Sequence, residues 1–137
     1  MVNIVVDTNV IISGFITTTG NPAKVTDMVR DNDERIQLCY NQAILEEYSD
    51  VLTREHFRFD KVKVAEFLQA VEEYGFFHEP PKSDFPMIDE KDRCFYDVAV
   101  YFGAKLITGN GKHYPVEWFI VTPTEFLAGL QDLQDFR

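Results

Sequence analysis

A chain of 137 residues with 45% hydrophobic side chains, including 12 Phe and 6 Tyr, holds enough apolar material for one packed core and reads as a single domain, residues 1–137. Its 13 basic and 23 acidic residues leave a net charge of −10, which excludes a general basic-patch binder of polyanions. No apolar stretch approaches the roughly 18 residues that cross a bilayer, and the start, Met-Val-Asn-Ile-Val-Val-Asp, lacks the basic segment of a secretory signal, so a cytoplasmic protein without a membrane span is expected.

Taken in chain order, Val2 to Val6 is a short β-branched run suited to a central strand covered on both faces. Asn21-Pro22 starts a helix with Pro at its first position, continuing to Arg30, and a second strand follows from Ile36 to Tyr40. Asn41 caps a helix from Gln42 to about residue 53, Asp60 caps another that ends before Gly75, and residues 76–78 form a brief strand. Beyond a loop containing Pro80, Pro81 and Pro86, a helix begins at Asp89 or Lys91 and stops at Gly103. Residues 105–108 and 118–122 are the last strands, and Pro123 opens a terminal helix with Phe126, Leu127 and Leu130. Alternating strands and helices predict a three-layer α/β/α sandwich around a mainly parallel sheet of four to five strands. Phe67, Phe76, Phe77, Phe95, Phe102 and Trp118 fall where its core needs them, and Cys39 and Cys94, inside a strand and a helix, read as buried free thiols.

Ligand sites in such sheets lie beyond the carboxyl ends of the strands. Asp7 stands there, followed by Thr8 and Asn9, either as a helix cap for the Val10-Ile11-Ile12 turn or as a ligand. In the helix from Gln42, the residues Ile44, Leu45, Tyr48, Val51 and Leu52 share one face; Glu46 points away from it, whereas Glu47 lies at its border and is favoured as the carboxylate that enters a cleft. Asp92 is likewise at the edge of the stripe Phe95-Val98-Ala99-Phe102, although an acid in a first turn also suits the helix dipole; Asp97 falls on the far side. Three converging acids call for a hard divalent cation, Mg2+ or Mn2+, that activates a water and stabilises phosphate charge. Zinc is disfavoured because no His or Cys accompanies them. Thr8 and Thr108 are supporting hydroxyls or plain strand-end hydrogen bonders, and Lys112 and His113 are candidate substrate contacts on the loop nearest the site. His56 and His78 have no obvious partners and read as surface or boundary residues.

The motifs Val5-Val6-Asp7-Thr8-Asn9, Glu46-Glu47-Tyr48 with Val51-Leu52, Asp92 with Ala99, and Leu106-Ile107-Thr108-Gly109-Asn110 together resemble the PIN-domain ribonucleases, including toxins of toxin-antitoxin pairs. The resemblance spans nearly the whole chain. It implies metal-binding carboxylates at Asp7, Glu47 and Asp92, with Asn110 completing the site, and a metal-dependent endoribonuclease whose partners are RNA, a small antitoxin and, as in many relatives, a second copy in a homodimer. Many relatives carry Asp where this chain has Asn110, an amide that adds no negative charge, so one firmly held ion is expected rather than two. That substitution and the net charge of −10 also motivate an alternative, a catalytically silent PIN-like module that binds RNA or a protein. A phosphatase with Asp7 as nucleophile lacks the second acid that such chemistry places close after the first.

Overall fold

The computed structural model describes residues 1–135. Among them, β1 (Val2–Val6), β2 (Ile36–Tyr40), β3 (Phe76–Phe77), β4 (Lys105–Ile107) and β5 (Ile120–Val121) form one parallel sheet in the order β3-β2-β1-β4-β5. Ile4, Val5, Val6, Leu106 and Ile107 are all fully buried, so successive side chains on both faces of the two central strands are covered. The covering helices are α1 (Thr8–Ile16), α2 (Asn21–Arg30), α3 (Gln42–Leu52), α4 (Lys61–Tyr74), α5 (Arg93–Phe102) and α6 (Pro123–Asp135). α2 and α4 pack on β2, α6 packs on β4, and α2 touches both α4 and α6, while α5 crosses β1, β2 and β4 on the return from β3 to β4. This is the expected three-layer sandwich, with β1 at its centre.

Local chemistry sets most element ends as the sequence indicates. Asn41 Oδ1 accepts from Ile44 N at 2.9 Å, Asp60 accepts from Val62 N and Lys63 N, and Gly103 closes α5 in the left-handed region at φ 61°. Asp89 caps a 3₁₀ turn, Glu90–Asp92, that leads directly into α5. The proline-bearing loop is fastened to α5 by Ser83, whose N–H and hydroxyl both donate to Asp97, and by Arg93, which donates to the Ser83 carbonyl at 2.8 Å. Asp97 is thereby committed to the loop, in keeping with its place on the far side of the helix from the acids.

Several expectations require correction: β3 and β4 end one residue early, at Phe77 and Ile107, and α5 starts only at Arg93, after the 3₁₀ turn. The apolar turn after Asp7 is a full nine-residue helix, α1, made compact by Gly14 against α2. α2 begins one residue earlier than its proline suggests, because Gly20 occupies the cap position and the Asn21 amide donates instead to Thr124 Oγ1 at 2.8 Å. The last strand shrinks to Ile120–Val121, since only these residues pair with β4. Finally, Phe76, Phe77 and Trp118 do not enter the core: they are 55%, 52% and 78% exposed. The two Phe residues form the outermost strand, beyond the helical cover, and Trp118 lies outside β5 with the Lys105 ammonium 4.3 Å above its ring. Cys39 is buried, Cys94 is half-buried, and both are free thiols whose burial pushes them up to about 12.

Candidate active site

β1 delivers Asp7 to the carboxyl edge of the sheet, where its N–H donates to the Ile107 carbonyl of β4 at 2.9 Å. The residue occupies the cap position of α1, yet its carboxylate makes no capping hydrogen bond. Instead Oδ2 accepts from Thr108 Oγ1 at 2.9 Å, Tyr114 Oη at 2.9 Å and Asn9 Nδ2 at 3.2 Å. Asp7 is buried, and loss of hydration raises its pKa even though these donors favour the charged form. Thr108 also accepts from Asn110 N at 3.0 Å, and Asn9 Oδ1 accepts from Gly109 N at 2.9 Å, so the strand-end loops of β1 and β4 are tied together beneath the carboxylate.

α3 is anchored to this point by Tyr48, a fully buried residue whose hydroxyl donates to the Val6 carbonyl at the end of β1. That tether places the preceding residue, Glu47, beside Asp7. Glu47 is half-buried, whereas Glu46 is exposed and accepts only from Gln42 Nε2 at 3.2 Å. The Glu47 carboxyl is raised first by burial, then by the charges of Asp7 and Asp92, with the Thr8 hydroxyl and Arg54 opposing. Asp92 comes from the third direction, at the start of α5, and is pushed up to about 6 by burial and by the charges of Asp7 and Asp89, with His113 and Lys91 opposing. The three acids thus approach one another from three elements, the charge of Asp7 disfavouring ionisation of both Glu47 and Asp92, and that of Asp92 disfavouring ionisation of Glu47.

Two oxygens there fall short of full satisfaction by the protein, although the Thr8 hydroxyl is near enough to Glu47 to favour its ionised form. Asp92 Oδ2 and Thr8 Oγ1 are buried and make no hydrogen bond of ordinary geometry. The nearest cationic candidate, His113 Nδ1, is 3.9 Å from Asp92 Oδ2 and attracts it only as an imidazolium. Orphaned oxygens among like charges are what a cation would satisfy. Among the described residues, however, no three His, Cys, Asp or Glu groups stand close enough together to ligate one ion directly. A cation at this place would be held by no more than one or two of the carboxylates, with water completing its coordination.

Asn110 reaches the rim of this space by its backbone, while its side-chain amide lies 3.1 Å from His113 Nε2. Lys112 and His113 are exposed on the following 3₁₀ turn, Gly111–His113. Sequence reasoning missed Tyr114, Tyr48 and Asn9. Tyr48 is legible in the sequence as a core residue but not as a tether, and nothing in the sequence singles out Tyr114; only Asn9 carries a signal, as the second polar residue behind Asp7.

A family model described as a PIN domain matches residues 3–112. The chain belongs to the PIN-domain family. No match was found among curated proteins or among solved structures. Membership in the PIN family makes this a nuclease fold, and the matched segment contains Asp7, Glu47, Asp92 and Asn110 but ends before His113 and Tyr114. None of the helices in the described residues is long and apolar enough to cross a membrane.

Proposed function

We propose that this PIN domain is a Mg2+- or Mn2+-dependent endoribonuclease that acts in the cytoplasm as the toxin of a toxin-antitoxin pair. The observation that carries the reading is the orphaned Asp92 Oδ2, buried with no protein donor to satisfy it on a carboxylate whose ionisation the charge of Asp7 disfavours and whose own charge acts on Glu47. Asp7 and one of the other two acids would contact a single ion, the third holding it through water. Such an ion supplies an activated water and neutralises charge gathering on the scissile phosphate. The acid of Glu47 and Asp92 that does not touch the ion would orient water there, the Thr8 hydroxyl would be within reach of it, and Asn110 holds the His113 ring at the mouth, where Lys112 and His113 would meet the substrate phosphates. Thr108 keeps Asp7 in place rather than touching RNA.

Replacing Asp7 with Asn is expected to abolish cleavage of single-stranded RNA and to weaken Mn2+ binding in calorimetric titration, with an unchanged far-ultraviolet dichroism spectrum. Cleavage at the wild-type rate would sink the assignment. Absence of Mn2+ binding by the wild-type chain would favour a silent RNA- or protein-binding module instead. The toxin role rests on the resemblance of the four motifs. It predicts growth arrest on induction that Asp7→Asn relieves and that a small antitoxin, with a basic segment suited to the acidic cleft, suppresses. The homodimer is part of the same proposal and is read from the mass in solution.

A further inference from the structure

The three side-chain donors around Asp7 all converge on the same oxygen. Thr108 Oγ1, Tyr114 Oη and Asn9 Nδ2 each donate to Oδ2, none to Oδ1. A carboxylate oxygen offers about two lone-pair directions, so three side-chain donors saturate Oδ2, whereas Oδ1, with no side-chain donor and only the neighbouring Thr8 backbone N–H near the carboxylate, is the oxygen able to meet an ion. We propose that Tyr114 is a positioning residue that confines Asp7 to one-oxygen coordination and thereby makes the site select small octahedral ions over Ca2+. The proposal rests on the metal-dependent reading above and names the residue that sets its ion preference.

Mg2+ and Mn2+ suit single carboxylate oxygens and retained waters, whereas Ca2+ takes 6–8 oxygens and accepts two from one carboxylate. An Asp7 unable to offer Oδ2 favours the first kind of site. Of the three donors, Tyr114 is the one whose removal isolates the effect. Thr108 also accepts from Asn110 N, and Asn9 also holds Gly109 N, so changing either disturbs a loop. The Tyr114 hydroxyl, among the described residues, bonds only to Asp7, while its ring is 2% exposed and packs in the core. Tyr114→Phe therefore keeps the packing and withdraws a single donor from a single oxygen. A phenol buried merely for packing would also seek an acceptor, and that simpler role makes a different prediction about ion preference.

The test is calorimetric titration of wild-type and Tyr114→Phe with Mn2+ and, separately, with Ca2+, after thermal melts in EDTA establish that both are folded. Partners outside the coordination sphere commonly alter metal affinity by 10–100-fold. Mn2+ affinity is expected to fall by about tenfold in Tyr114→Phe while Ca2+ affinity holds or rises, so that the Mn2+/Ca2+ ratio collapses. A Tyr114→Phe chain with wild-type affinities for both ions overturns the proposal and leaves Tyr114 a packing residue, with the metal site intact. Failure of the wild-type chain to bind Mn2+ overturns the metal reading and this inference together.

Discussion

Asp92 shows the conflict between stability and chemistry at a single residue. Its carboxyl is pushed up to about 6, one of its oxygens is buried without a partner, and its nearest charged neighbours include Asp7 and Asp89. At neutral pH the metal-free fold therefore carries an ionised group in a place that disfavours it. Asp92→Asn removes the charge at nearly constant volume. Allowing for solvent screening of a carboxylate that is only partly buried, the metal-free protein should gain about 1 kcal/mol. Urea unfolding in EDTA at pH 7.5 reads the gain directly, and a midpoint equal to or below that of wild type contradicts it. The variant should at the same time lose Mn2+ binding, the combination expected where a residue is kept for chemistry at the expense of the fold.

At the scale of elements, the legible features were those with a repeating pattern or a local cap. The stripe in α3 separated Glu47 from Glu46, and the stripe in α5 separated Asp92 from Asp97, because a 100° turn per residue fixes which side chain borders a buried face. What stayed hidden depends on contacts distant in sequence. Tyr48 meets Val6 across 42 positions and Tyr114 meets Asp7 across 107, and no periodicity reports either. Likewise, Phe76 and Phe77 have strand-forming chemistry, but only the order of the sheet reveals that their strand lies at an edge. Gly14 is a third case. A Cβ there would stand 2.3 Å from Thr26 Oγ1 and 3.0 Å from the Pro22 carbonyl, two groups already bonded to each other at 2.8 Å. Gly14→Ala must then push α1 away from α2 or break that bond, at a cost of about 1–3 kcal/mol despite the better helix propensity of Ala. Chemical denaturation checks this; a stabilised variant would show that the two helices separate freely.

For the whole molecule, the site acids set the direction in which stability follows pH. Asp7, Glu47 and Asp92 all have pKa values raised above those of the unfolded chain, so between roughly pH 4 and 7 the native state binds more protons than the unfolded state. Stability of the metal-free protein must fall as pH rises through that window. Asp33, Glu90 and Glu125 act in the opposite sense, because Arg35, Arg93 and the Thr122 cap lower them, but their contribution is lost only as pH drops through the ordinary carboxylate range and below. Relief of repulsion in a chain of net charge −10 adds to the first effect as acids protonate. Urea midpoints measured in EDTA should therefore increase from pH 7.5 to about pH 5 before declining in stronger acid. With saturating Mn2+ the slope should reverse over the same interval, since the ion binds the ionised carboxylates and its stabilisation weakens as they protonate. A metal-free protein whose stability is flat or rises between pH 5 and 7.5 would mean that the three carboxyls do not share one desolvated space, which would remove the electrostatic basis for placing the cation there.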